Sequence, residues 1–229
     1  MSICFSFFTS SIGRKIVVAV SGLLLFLFCL IHLSGNMLIF VGQEAFNDYA
    51  YMLHHLLHGA LVWIARVGLL ALIVAHVLAT VSLVIENKTA REPYHFQKTV
   101  RATLSSKLMP LSGLMVLAFI IFHVLHFTVR LDALGTNDPS YKLGDGHFDA
   151  WQMVVDGFAN HWVSVFYLVS VFLLGLHLKH GFASLFQTLG LSSNKTRKHF
   201  EVASVLLSLL IFVGFASIPI LVGFVGIYR

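Results

Sequence analysis

Five long apolar segments alternate with shorter polar ones along the chain. They cover about residues 16–40, 61–85, 108–129, 162–186 and 202–227. Each reaches the roughly 20 residues that a helix needs to cross a hydrocarbon core about 30 Å thick. None shows the alternation of a strand, and in lipid only helices and closed barrels satisfy the backbone. The pattern predicts an all-α integral membrane protein, residues 1–229 forming a single domain with five transmembrane helices.

The polar segments between these spans predict further elements. Residues 43–58 have helical periodicity, which predicts a helix lying along the membrane surface. Residues 130–161 carry the turn signals "GTNDPS" and "GDG". The first span is too long for a signal peptide, and no small-residue cleavage site follows it, so we expect it to be retained.

Composition and charge agree with a membrane protein. Hydrophobic residues make up 58% of the chain and charged ones 11%, which argues against soluble globular domains. Most Lys and Arg side chains lie before span one, between spans two and three, and between spans four and five. The positive-inside rule therefore predicts a cytoplasmic N-terminus. Because topology explains the net charge of +5, we expect membrane lipid and no nucleic acid as a partner.

Each of the first four spans contains a histidine. Ionisable side chains inside membrane helices are rare and usually functional. A hydrogen bond to a neighbouring helix is the structural alternative for any one of them. The candidates are His32, His76, His123 or its neighbour His126, and His177 or its neighbour His180.

The depths of these histidines divide them into two layers. Counted from the inner end of each span, His32 lies roughly 25 Å deep and His123 roughly 22 Å, whereas His76 and His177 lie about 15 Å deep. We expect spans one to four to form an up-and-down bundle, with span five peripheral. Spans one and three are then diagonal partners, as are spans two and four. Each layer has two opposed imidazoles, which predicts two b-type haems with bis-histidine ligation that carry electrons.

Other polar and small side chains fit this prediction. Arg66 lies just outside the outer layer and could pair with a propionate of the outer haem, or its charge could reach the interface. Lys179 and His180 could meet propionates of the inner haem, and Lys179 could also extend to the membrane surface. Gly35 and Gly181 lie on the histidine faces and suit either a porphyrin or ordinary helix packing.

Four stretches of the sequence together resemble one known family. They are "SSIGRK" (10–15), "IHLSGNMLIFVGQEAFN" (31–47), "FHVLHFT" (122–128) and "HLKHGFASLFQTLG" (177–190). Over nearly its whole length the chain resembles the type B cytochrome b subunit of succinate dehydrogenase and fumarate reductase complexes. That family is a five-helix, di-haem membrane anchor.

The resemblance implies a set of roles for this chain. The axial ligands would be His32 with His123 for the outer haem and His76 with His177 for the inner one. The flavoprotein and iron–sulfur subunits of succinate dehydrogenase would bind the cytoplasmic face, at the basic segments 86–107 and 195–198. Electrons would pass between them and a membrane quinone, with menaquinone as the family tendency, in a bacterial inner membrane. The isolated chain would not oxidise succinate, and we expect no catalytic residues in it.

The quinone site is predicted from polar side chains near the haems, because a quinone needs donors for two carbonyls. The outer group at the membrane surface is favoured over an inner group of His180, Ser184 and Gln187. The outer group consists of Tyr49, Tyr51, His54, His55 and His58.

Three other functions compete with this interpretation. A membrane cytochrome b with a different electron donor would share the haem sites. A histidine-based transporter of metal ions or protons would usually recruit carboxylates, but no Asp or Glu lies inside any predicted span. A purely structural anchor would leave the four histidines unexplained.

Overall fold

The computed structural model of the protein describes residues 10–89, 104–143 and 147–228. Most of the predicted basic segment 86–107 and the "GDG" turn at 144–146 lie outside these ranges. Within them the chain is helical and has no strand beyond a single bridge between Lys142 and Phe148. Five helices are long and apolar enough to cross a membrane. The prediction of an all-α, multi-pass membrane protein is therefore confirmed.

The described residues form seven α-helices, and five of these helices contain the candidate spans. Two of the spans finish in a wider π-helical turn, at Val124–Val129 and Pro219–Val225, and the first finishes in a 3₁₀ turn at Met37–Phe40. The helices are α1 (Ser11–Asn36), α2 (Gln43–His55), α3 (Ala60–Thr89), α4 (Leu104–His123), α5 (Ala150–Gly157), α6 (His161–Thr188) and α7 (Arg197–Ile218).

Local chemistry fixes several helix ends. The Ser10 hydroxyl accepts a hydrogen bond from the Gly13 N–H at 3.0 Å and caps α1, and Asn160 caps α6 in the same way. At the junction of α1 and α2, Gly42 has φ 140°, a conformation open mainly to glycine. Helix α2 ends at His55, three residues before the predicted end at 58. The chain then turns through left-handed backbone at Leu57 and His58.

Each spanning helix packs against particular neighbours. Helix α3 packs on α1, α4 packs on α6, and α6 also contacts both α1 and α7. An ion pair of 2.6 Å between Arg14 and Glu86 joins the start of α1 to the end of α3. Helix α7 approaches α1 closely at Gly214, where a β-carbon would lie 2.7 Å from the Leu33 side chain. These contacts place the four histidine-bearing spans side by side.

A polar cluster joins α2 to the short helix α5, which the sequence did not predict. The buried Asp149 carboxylate accepts hydrogen bonds from Gln43 Nε2 at 2.7 Å and from Asn47 Nδ2 at 2.9 Å. It also caps α5 by accepting from the Gln152 N–H at 3.0 Å. Asn47 Oδ1 in turn accepts from the Trp151 N–H. The two helices are thereby held together beside the C-terminal end of α1.

Candidate functional site

The outer histidine layer brings together two rings from different spans. His32 on α1 and His123 at the end of α4 have ring centroids 5.8 Å apart, with the ring planes at 77°. Phe28 stacks on His32, and Phe119 contacts His123. Both imidazoles are half-buried, so each keeps part of its surface open.

The inner layer repeats this arrangement. His76 on α3 and His177 on α6 have ring centroids 6.5 Å apart, with the ring planes at 70°. Both are again half-buried. The structure thus brings the four histidines together in the two pairs that the depths and the family resemblance predicted.

The spacing of each pair suits two opposed ligands on one metal ion. An imidazole–metal bond is about 2 Å long, and the ring centre lies roughly 1 Å behind the nitrogen. Two imidazoles on opposite sides of one ion would therefore have centroids about 6 Å apart. The distances of 5.8 Å and 6.5 Å fall on either side of this value. The residues present fit a bis-histidine haem iron in each layer.

In the inner pair, each Nδ1 atom faces a serine hydroxyl of the neighbouring span. His76 Nδ1 lies 3.1 Å from the Ser21 hydroxyl on α1, and His177 Nδ1 lies 3.3 Å from the Ser112 hydroxyl on α4. Both serines are buried. With Nδ1 engaged, the Nε2 atom of each ring is left to bind a ligand.

A glycine follows each of these serines and makes room for the imidazole. A β-carbon on Gly22 would lie 3.2 Å from His76 Cε1, and one on Gly113 would lie 3.4 Å from His177 Cε1. Side chains at these positions would press on the rings. The Ser-Gly dipeptides at 21–22 and 112–113 therefore contact the two inner histidines in the same way.

In the outer layer, a buried tyrosine connects His123 to His126. The Tyr167 hydroxyl lies 3.3 Å from His123 Nδ1 and 3.0 Å from His126 Nδ1. His126 is fully buried, and its backbone carbonyl accepts a hydrogen bond from the Thr136 hydroxyl. The wider helical turn begins after His123, and the His126 ring within it contacts Phe122 and Phe127, whereas the His123 ring contacts His32. Of the two candidates in this span, His123 is thus the one that faces His32.

Three side chains were predicted to contact haem propionates, namely Arg66, Lys179 and His180. The Arg66 guanidinium lies over the exposed Trp63 ring, 5.1 Å from its centroid. Lys179 is exposed and His180 half-buried, on the helical turn of α6 next to His177. A β-carbon on Gly181 would have no atom within 4 Å. Their propionate contacts remain predictions.

Of the predicted outer quinone group, Tyr49 is partly buried and the other four residues are exposed. Tyr49 packs its ring against α1, where a β-carbon on Gly35 would lie 2.5 Å from the tyrosine Cε1. The tyrosine ring thus fills the space at Gly35, which was predicted to suit either a porphyrin face or ordinary helix packing. His54 and His55 donate their Nδ1–H groups to backbone carbonyls one turn earlier, each at 2.8 Å.

The remaining members of this group are exposed. His58 lies in the turn after α2 with φ 55°. Tyr51 stacks on His55 with centroids 3.7 Å apart, and on its other side at 4.1 Å from His147. Among the residues of the predicted outer quinone group, Tyr49 is therefore the one whose ring packs against α1, at Gly35.

The sequence reasoning missed several side chains that contact the histidines. The repeated "SG" dipeptide in spans one and three was a visible signal for Ser21 and Ser112, but nothing marked those positions as facing a histidine. Tyr167 carried no signal beyond being a polar aromatic residue in an apolar span. No protein-family model, curated protein or solved structure matches the chain.

Proposed function

We propose that the chain is the cytochrome b membrane anchor of a succinate:quinone oxidoreductase. It would hold two b-type haems and serve electron transfer between an iron–sulfur subunit and a membrane quinone. When bound, the haems supply one-electron redox chemistry. In this proposal spans one to four form the haem-binding bundle, span five is peripheral, and the N-terminus is cytoplasmic.

One observation supports the proposal above the others. Two half-buried histidine pairs, one from spans one and three and one from spans two and four, have ring spacings suited to opposed ligands on one ion. The contacts of α1 with α3 and α6, and of α4 with α6, agree with such a bundle. His32 and His123 would hold the outer haem, and His76 and His177 the inner one.

The protein's own side chains would orient the ligands and exclude water. Ser21 and Ser112 direct the inner rings, while Tyr167 directs His123. Phe28 and Phe119 contact the rings of the outer pair and would help to exclude water from it. The quinone site is proposed beside the outer pair, with Tyr49 as the contact that the packing of α2 on α1 supports best.

The test is a haem count on the purified full chain in detergent. A pyridine haemochrome assay and a dithionite-reduced minus oxidised spectrum should give two b-type haems per polypeptide. His177→Ala should hold one haem, while the control variant His199→Ala, which changes an exposed histidine of α7, should hold two. Folded protein without haem would overturn the proposal and favour a transporter or a structural anchor.

The membership of the complex needs its own measurement. Purification of the chain from its native membrane should bring down a flavoprotein and an iron–sulfur protein together with succinate-dependent quinone reduction. Two haems without those partners would instead favour a membrane cytochrome b that takes electrons from another donor.

A further inference from the structure

Ser21 and Ser112 occupy equivalent places against the two inner histidines. Each lies on an odd-numbered span, each is buried, and each is followed by a glycine that lets an imidazole approach. The histidines they face, His76 and His177, lie on the even-numbered spans. The same arrangement, a buried serine and glycine against an imidazole, thus occurs once at each histidine of the inner layer.

The hydroxyl hydrogen of each serine is already engaged within its own helix. Ser21 donates to the Val17 carbonyl at 2.6 Å, and Ser112 donates to the Met109 carbonyl at 3.1 Å. A hydroxyl has one hydrogen and two lone pairs. Since the hydrogen is directed to a carbonyl, the oxygen is left to accept, and its partner Nδ1 must carry the proton.

We infer that Ser21 and Ser112 are positioning residues that set the tautomer of His76 and His177, with Nδ1 protonated and the Nε2 lone pair free for an axial metal ligand. Partners of this kind orient a metal-bound imidazole and raise its basicity. This inference rests on the proposed function for the identity of the metal group, but the tautomer itself is a property of the chain.

The outer layer is built differently. There the Tyr167 hydroxyl is shared between His123 and His126, and Asn36 donates its side-chain amide to the His32 carbonyl at 2.7 Å. Changes at the two serines should therefore affect the inner layer alone. This difference gives the experiment an internal control.

The first measurement is ¹⁵N NMR of histidine-labelled full chain prepared without haem, at a pH where the rings are neutral. Wild-type His76 and His177 should show the Nδ1–H tautomer. Ser112→Ala should release His177 into a mixture containing Nε2–H. Ser21→Ala should release His76 to a smaller extent, because the His76 ring also has a backbone hydrogen bond at Val18. Ser208→Ala is the matched control, because Ser208 is also buried and donates to a carbonyl three residues earlier in its helix.

The second measurement uses the haem-loaded protein. When Ser21→Ala is combined with Ser112→Ala, the dissociation constant of the inner haem should rise about 10- to 100-fold, the range seen when such ligand partners are removed. The midpoint potential of that haem should rise, because a less basic imidazole stabilises oxidised iron less. The outer haem should be unchanged, and Ser21→Thr combined with Ser112→Thr should behave like the wild type because threonine keeps the hydroxyl.

The outcomes separate this inference from the proposed function. Wild-type tautomers and unchanged haem binding in both alanine variants, equal to those of Ser208→Ala, would overturn the role of the serines while leaving two haems in place. Equal shifts in both haems would also overturn it, because a general loosening of the bundle would then be the cause. Protein that binds no haem would refute the proposed function, yet the NMR result would still decide the tautomers.

Discussion

The Tyr167 hydroxyl lies 3.3 Å from Nδ1 of His123, and it reaches the buried His126 with the same oxygen. A phenol can donate one hydrogen and accept others, so one group serves both rings. If His123 binds a metal through Nε2, its Nδ1–H donates to the phenol, and the phenol donates to His126. The buried tyrosine therefore joins a candidate ligand to the protein core.

Tyr167→Phe should destabilise the protein and perturb the outer layer only. Loss of the hydroxyl leaves a buried Nδ1 atom of His126 without its partner, at a cost of about 1–3 kcal/mol. Thermal unfolding in detergent should show the loss, and the spectrum of the outer haem should shift. Tyr51→Phe is the control, since Tyr51 is exposed. Unchanged stability and spectra in Tyr167→Phe would refute this role.

If the protein binds two haems as proposed, pairs of alanine substitutions should reveal which histidines share one. His32→Ala combined with His123→Ala should lose one haem, no more than either single change does, because the two rings face one site. His32→Ala combined with His76→Ala should lose both haems, since these residues belong to different layers. The haemochrome assay counts them. Loss of both haems in the first combination, or of only one in the second, would contradict the pairing.

Asp149→Ala should loosen α2 from α5. The carboxylate accepts from Gln43 and Asn47 and caps α5, so its removal should cost about 2–4 kcal/mol. Hydrogen exchange should rise within Gln43–His55, and the melting temperature should fall. Asp132→Ala, which changes an exposed aspartate bonded to Asn137, should have little effect. Similar exchange in both variants would show that the cluster does not hold α2.

Substitution at Gly35 should displace the Tyr49 ring. A β-carbon there would lie 2.5 Å from that ring, so in Gly35→Ala the ring must move away from α1. Gly181→Ala should be tolerated by the fold, because its β-carbon would meet no atom within 4 Å. The melting temperature distinguishes them, and Tyr49→Ala should relieve Gly35→Ala. Equal stability of the two glycine variants would contradict the close contact.

The stability of the segment 130–161, which contains Tyr141, should fall in alkaline solution. Burial, followed by the hydrogen bond that the Tyr141 hydroxyl donates to Asp156, raises the pKa of Tyr141 above its ordinary value. The unfolded chain loses this proton above about pH 10 while the folded chain keeps it. The stabilisation is therefore present below about pH 10 and declines as pH rises further.

Tyr141→Phe checks this expectation through the pH dependence of the melting temperature. The variant should start less stable, by about 1 kcal/mol for the lost hydrogen bond, and then decline less steeply above about pH 10. Tyr51→Phe, which changes an exposed tyrosine, should follow the wild-type curve. An unchanged slope in Tyr141→Phe would show that this phenol does not contribute.

The sequence by itself determined the class of the protein and the number of its spanning helices. Apolar segments of this length have one stable arrangement in lipid, because their backbone groups must be paired within the segment. It also determined that each of four spans contains a histidine. The rise of a helix put His32 in one layer with His123 or its neighbour His126, and His76 in another with His177 or its neighbour His180.

Only the tertiary structure decided which side chains meet those rings. Because apolar residues surround these helices on every side, the sequence pattern does not fix how each helix rotates about its axis. That rotation turned Ser21 and Ser112 towards the inner histidines, and it turned Tyr167 towards His123 and His126. Such contacts depend on the distance and angle between helices, and residues far apart in the chain set both.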